Sequence, residues 1–245
     1  MKRRLDQLLI DRGLVESRAK AQALVLAGKV FSGEKRLDKP GTPLPVDTAL
    51  EVRGEDHPWV SRGGVKLAHA LGHFGLSPAG RVCLDIGAST GGFTDVLLAH
   101  GAARVHAVDV GHGQLAWKLR QDTRVVVHEK TNARFLTARE IPDPIGALVC
   151  DVSFIGLATV LPAPLALCAP GAWAVALIKP QFEVGPGAVG KGGVVREVAQ
   201  HRAVVARIVA WFAHQPGWSV LGTTESPITG PEGNREFLIA ARRSA

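Results

Sequence analysis

From Arg81 onward, short apolar runs alternate with helical patterns, and this alternation constrains the fold more than any other feature of the chain. Residues 82–86, 105–110, 148–152 and 172–178 read as buried strands, with a weaker one at 124–129. Residues 94–100, 114–119 and 194–214 read as helices between or after them. Such an order needs crossover connections. It therefore predicts a mostly parallel α/β sheet with ligand sites at the carboxyl ends of its strands. The last two apolar runs, 219–224 and 236–241, are separated by a loop rich in Pro and Gly that is too short for a helical crossover. They predict an antiparallel hairpin at one sheet edge.

Composition removes several classes. With 245 residues, 46% of them hydrophobic, the chain can bury a sizeable core and is not a disordered protein. Cys83, Cys150 and Cys168 are odd in number and lie in apolar runs, as reduced cytosolic thiols do. Met1-Lys-Arg-Arg is followed by no apolar block, so no signal peptide is expected. The most apolar stretch, 147–178, is broken by Asp151, Pro162, Pro164 and Pro170, which argues against a membrane span. The expected location is cytoplasmic.

Residues 1–39 carry ten Lys/Arg against five Asp/Glu, whereas the rest of the chain carries 19 against 17. A positive excess concentrated at one end favours a phosphate-rich partner or forms a solvated helix pair. Leu5, Leu8 and Leu9 lie at helical spacing, and Gly13 stops that helix. Ser17 is a good N-cap for a second helix with Ala21, Leu24, Val25 and Ala27 as its apolar face and Gly28 as its stop. Residues 30–35 predict a strand entering a turn, 43–47 further turns, and 50–52 a closing strand. The polar, breaker-rich 54–58 marks a boundary. The predicted organisation is a front module at 1–57, a linker at 58–61 and a larger domain at 62–245. Residues 185–193, rich in glycine, predict a mobile loop.

The front module resembles the S4 RNA-binding domain through Arg4-Leu5-Asp6-Gln7-Leu8-Leu9, Ser17-Arg18-Ala19-Lys20-Ala21 and Leu26-Ala27-Gly28-Lys29-Val30. The resemblance implies that Arg3, Arg4, Arg18, Lys20 and Lys29 form a basic face that docks on structured RNA.

Asp85-Ile86-Gly87-Ala88-Ser89-Thr90-Gly91-Gly92-Phe93 follows the first strong strand and opens a helix. Glycines there admit close backbone approach, and a helix N-terminus favours an anionic group. Ser89 stands where a dinucleotide fingerprint needs its second glycine, so a pyrophosphate cradle is not supported. Asp109 ends the next strand, where a carboxylate can accept bonds from two ribose hydroxyls. The combination fits a nucleoside with a small anionic tail, such as S-adenosylmethionine. Asn132 could present its amide to the adenine edge.

Asp151, Lys179 and Glu236 lie at strand ends where an apolar pattern would not put charge, and Lys66 follows Ser61-Arg62-Gly63-Gly64-Val65. Buried charges at such places mark a salt-bridge cluster or a site. In order and context these four resemble the Lys-Asp-Lys-Glu tetrad of the FtsJ-like RNA ribose 2′-O-methyltransferases. The strings Asp151-Val152-Ser153-Phe154-Ile155, Leu177-Ile178-Lys179-Pro180-Gln181-Phe182-Glu183 and Gly233-Asn234-Arg235-Glu236-Phe237 carry the likeness. With the front module, the whole chain resembles the hemolysin A (TlyA) family of ribosomal RNA methyltransferases.

That resemblance implies a Rossmann-like S-adenosylmethionine-dependent methyltransferase domain behind a small α+β S4-like domain. It implies methylation of a ribose 2′-hydroxyl, of cytidine, within ribosomal subunits. Lys179 would be the central residue, as base or as orienting donor. Two flanking carboxylates oppose the depressed pKa a lysine base requires, which favours the orienting role. Competing readings are a non-catalytic ribosome-assembly factor, a membrane-lytic hemolysin, and a methyltransferase of proteins or small molecules. No metal is expected, because His69 and His73 lack a third ligand. Ser89 and Ser153 lack a nucleophile-elbow context. Trp59 could stack on a base, or pack.

Overall fold

A computed structural model describes residues 2–15, 17–52, 57–185, 189–190, 192–230 and 233–245. The chain divides into two compact units, Met1–Pro58 and Trp59–Ala245. The proposed boundary at 54–58 and the glycine-rich 185–193 lie partly outside the described residues.

In the first unit β1 (Lys2–Arg4) leads into α1 (Leu5–Asp11), and α2 (Arg18–Leu26) follows. The Ser17 side chain caps α2 by accepting a hydrogen bond from the Lys20 backbone N–H at 3.2 Å. Next come β2 (Val30–Ser32), β3 (Lys35–Arg36), β4 (Pro43–Pro45) and β5 (Glu51–Val52). Strand β2 pairs antiparallel with β3 and β5. Leu5, Leu9, Val15, Ala21, Val25, Val30 and Leu37 form the core. Two expectations are corrected. Residues 43–47 are not all turn, because β4 pairs with β1; a two-stranded edge tolerates prolines that no central strand would. Ala27 is exposed, since α2 ends at Leu26 and Ala27 is its C-cap.

The second unit begins with α3 (Gly63–Phe74), a helix the sequence pattern did not reveal, because Gly63 and Gly64 are poor helix formers. Gly64 is required there: a Cβ on it would lie 2.4 Å from Cγ of Trp59. Trp59 therefore packs on α3. Next are β6 (Val82–Ile86), α4 (Gly92–Ala99), β7 (Arg104–Val108), α5 (Trp117–Arg120) and β8 (Val125–His128). The chain continues through β9 (Ile145–Cys150), α6 (Leu157–Val160), α7 (Pro162–Ala166), β10 (Cys168–Ile178) and α8 (Pro180–Glu183). It closes with α9 (Val198–Ala213), β11 (Trp218–Glu225) and β12 (Phe237–Arg243). Helix α5 is shorter than expected, and α9 begins only at Val198.

The seven strands run in the order β11-β12-β10-β9-β6-β7-β8. Strands β8, β7, β6, β9 and β10 are parallel, whereas β12 and β11 form the antiparallel edge hairpin. This is a Rossmann-like sheet covered on both faces. Along β10, Ala172, Ala174, Ala176 and Ile178 face one core, shared with α6, α7 and α9. Trp173, Val175 and Leu177 face the other, shared with α3 and α4. The two-residue pleat sorts β9 and β12 in the same way. No helix among the described residues is long and apolar enough to cross a membrane. The three cysteines are free and buried.

Candidate active site

Pleat parity brings the four charged residues together. Asp151 continues the alternation of Ala147 and Val149, Lys179 that of Val175 and Leu177, and Glu236 that of Leu238 and Ala240. All three therefore point to the face covered by α3, the helix that carries Lys66. Strands β9, β10 and β12 are neighbours, so their ends stand side by side.

The Lys66 ammonium donates to Glu236 Oε2 at 2.6 Å and lies 4.0 Å from Asp151 Oδ2. Lys179 Nζ is 2.5 Å from Asp151 Oδ1 and donates to Ser153 Oγ at 3.1 Å. The Lys66 side chain is 9% exposed and that of Glu236 1%, against 19% for Asp151 and 11% for Lys179. Two cations and two anions thus share a largely desolvated cluster without net charge. Its open end lies at Asp151 and Lys179.

The glycine-rich loop abuts this cluster. Gly87 has φ +81°, and a Cβ there would sit 2.4 Å from the Asp151 carbonyl oxygen. Gly91, at φ +99°, is the N-cap of α4 and leaves no room against Leu119. Gly92 approaches Ser61 and α3, and Phe93 is buried in the core, so both shape the loop from beneath. Thr90 is exposed, and its carbonyl accepts from the Ala116 N–H at 3.0 Å. Ser89 is exposed at φ +49°, and its backbone N–H donates to Asp109 Oδ2 at 2.8 Å. The other Asp109 oxygen accepts from Gly111 N at 2.7 Å. The Asn132 amide oxygen caps a short 3₁₀ turn by accepting from Arg134 N at 3.1 Å.

Asp85 lies beneath the loop, fully buried, and accepts from Thr94 Oγ1 at 2.7 Å through Oδ2. Its Oδ1 has no hydrogen-bond partner among the described residues. Burial, with Asp151 and Asp109 nearby, pushes its carboxyl up to about 7. A buried orphan acceptor, the Asp109 carboxylate across the loop, and glycines that keep the loop close to Asp151 suit a nucleoside carrying a cationic amine.

Two positioning residues escaped the sequence reading. Glu183 accepts from Leu157 N at 2.7 Å, tying the chain after Asp151 to the turn after Lys179. Asn234, 1% exposed, accepts from Val195 N at 3.0 Å and donates to the Gly193 carbonyl at 2.9 Å, fixing the approach to Glu236. Both lie in the strings that carried the family likeness, but their partners are remote in sequence. Among the described residues no cluster is suited to a metal. His69 and His73 stack at 5.7 Å, with His69 Nε2 3.3 Å from Thr224 Oγ1.

The five basic residues proposed for the RNA-docking face are partly matched by acids. Arg4 and Arg18 both pair with the buried Asp6, at 2.9 and 3.1 Å. The hydrogen bond from Arg4, followed by those from Gln22 and Arg18, holds the Asp6 carboxyl well below the usual carboxylate range. Arg3 pairs with Asp11. Lys20 is exposed and Lys29 half-buried.

Residues 59–243 match the FtsJ-like methyltransferase model, and residues 3–49 match the S4 domain. The chain belongs to the FtsJ-like methyltransferase family. It is thus a methyltransferase, with S-adenosylmethionine as the methyl donor of these enzymes, and it carries an S4 RNA-binding domain. The chain is 51% identical over 240 residues to the 16S/23S rRNA (cytidine-2′-O)-methyltransferase TlyA of Mycobacterium tuberculosis, covering 98% of this chain and 89% of that protein. It is 41% identical to hemolysin A of Brachyspira hyodysenteriae, covering 96% of this chain and 98% of that one. A solved Streptococcus thermophilus protein named as a hemolysin superposes with a TM-score of 0.78 at 45% identity, over 99% of this chain and 89% of that one.

Proposed function

We propose that the protein transfers the methyl group of S-adenosylmethionine to the 2′-hydroxyl of a cytidine ribose in ribosomal RNA, acting on ribosomal subunits in the cytoplasm. The observation that carries this reading is the convergence of Lys66, Asp151, Lys179 and Glu236 beside the glycine-rich loop. The TlyA likeness supplies the cytidine and the ribosomal RNA.

When bound, the cofactor supplies an electrophilic methyl group on a sulfonium. Asp85, Gly87, Ser89 to Phe93, Asp109 and Asn132 would hold it, with the Asp109 carboxylate suited to ribose hydroxyls and the vacant Asp85 oxygen to the amine. A ribose hydroxyl is a weak nucleophile, so the protein's task is to hold its oxygen in line with the methyl carbon. Lys179, held by Asp151 and Ser153, donates to that oxygen and aims a lone pair at the carbon. A carboxylate of the cluster would take the hydroxyl proton, late in the transfer. Lys66, anchored by Glu236, holds Asp151 from the far side. Arg3, Arg4, Arg18, Lys20 and Lys29 dock the RNA.

Incubation with labelled cofactor and isolated subunits tests the reading. The RNA acquires label, and Lys179→Ala abolishes labelling while leaving cofactor affinity intact. A Lys179→Ala protein that methylates at the normal rate overturns the mechanism, and absence of label in RNA with the natural sequence overturns the function.

A further inference from the structure

A second concavity, of about 530 Å³, lies on the opposite face of the sheet, between α9 and the antiparallel hairpin. Val198, His201, Arg202, Val205 and Ala206 supply one stripe of α9 at helical spacing, and Thr223 to Glu225, Arg235 and Phe237 close it. Arg235 and Phe237 flank Glu236 in sequence. An extended residue advances about 3.3 Å, so this cavity and the charged cluster open on the two sides of one strand end.

His201 and Phe237 give the cavity an aromatic wall. The residue is 3% exposed, and its ring tilts against Phe237 with centroids 5.8 Å apart. Nε2 is 2.9 Å from the Val195 carbonyl oxygen, which can only accept, so Nε2 carries a hydrogen. In the neutral ring Nδ1 is then an acceptor, and it has no hydrogen-bond partner among the described residues. That nitrogen is itself buried, so the ring serves the cavity as part of its wall. At the mouth, Arg235 is engaged with Glu225 through bonds of 2.8 and 2.5 Å. The exposed side chain of Arg202 has no hydrogen-bond or ion-pair partner among the described residues and is free to take an anion.

An aromatic wall, an apolar stripe and an unpaired guanidinium match a base and its phosphate. We infer that this cavity receives an unpaired nucleotide of the substrate RNA, next to the one being methylated, with its phosphate at Arg202 and its base against Phe237. The inference rests on the ribosomal RNA reading above. Stacking of a base on an aromatic ring tolerates any base, so such a pocket helps set which RNA segment presents its ribose to the cluster.

Two variants of the full chain test it, both at exposed positions of α9, so that the fold is retained: Arg202→Ala, and Ala206→Trp, which fills the cavity. Each raises KM for the ribosomal subunit about tenfold with kcat and cofactor affinity unchanged, and weakens filter retention of protein-free ribosomal RNA in parallel. If the natural sequence methylates subunits and both variants keep its KM, the inference falls while the functional reading stands. If the natural sequence methylates no RNA, the functional reading itself has failed. If the variants lose subunit binding but retain protein-free RNA as the natural sequence does, the occupant is a ribosomal protein and the inference is overturned.

Discussion

Replacing Glu236 by Leu strands a buried cation. Lys66 is 9% exposed and loses its 2.6 Å partner; what remains is Asp151 at 4.0 Å, itself engaged by Lys179 at 2.5 Å. The cluster then carries a net positive charge in a desolvated site. Breaking a buried pair in this way costs about 3–5 kcal/mol. At roughly 2–4 °C per kcal/mol for a unit of this size, the Tm of the methyltransferase unit drops by roughly 6–20 °C. Replacing both partners, Lys66→Met with Glu236→Leu, removes both charges together. The Asp151–Lys179 pair stays balanced, and stability returns to within about 1 kcal/mol of the natural protein. Calorimetry of the full chain reads the Tm, and labelled methyl transfer to ribosomal subunits reads activity, which both variants lose. Equal Tm values for the single and double variants would refute the electrostatic account. Full activity in the double variant would show that the pair is structural and takes no part in the reaction.

Three further outcomes follow from the same geometry. With its carboxyl raised to about 7, Asp85 is protonated in the folded state where the unfolded chain has already released that proton. Its contribution to stability therefore falls as pH rises from about 4 to about 7, and Asp85→Asn removes that slope from the Tm profile; an unchanged slope contradicts the assignment. Gly87→Ala must place a Cβ 2.4 Å from a backbone oxygen at φ +81°, so it destabilises the protein by about 2–3 kcal/mol and weakens S-adenosylhomocysteine binding in calorimetric titration. Retained affinity would count against a cofactor loop there. In the first unit, Lys20→Ala lowers the slope of log RNA affinity against log salt by about 0.7–0.9, whereas Arg18→Ala changes it less, because Arg18 already shares Asp6 with Arg4. A slope with Lys20→Ala equal to that of the natural sequence would rule out the docking face there.

The strand pattern was legible because buried parallel strands read as apolar runs, and β6 falls where that pattern put it. The charges at Asp151, Lys179 and Glu236 were conspicuous for the same reason. What the pattern lacked was strand order: nothing in the run 237–243 says that β12 inserts between β10 and β11, which is what sets Glu236 beside Lys179. Helix α3 was hidden by two glycines, and the need for Gly64 appears only once Trp59 lies across it. The pairing of Arg4 and Arg18 on Asp6 is likewise tertiary. Glu183 and Asn234 were in view as letters, yet their partners Leu157, Gly193 and Val195 come near only through folded loops.

Where the methyl group lands tests the central claim most directly. Ribosomal subunits incubated with the protein and cofactor bearing a deuterated methyl, then digested to nucleosides and resolved by mass spectrometry, report the site of transfer. The account predicts heavy methyl on the ribose of cytidine, and none with Lys179→Ala. Heavy methyl on a base or on ribosomal protein, or equal ribose labelling with Lys179→Ala, would contradict it.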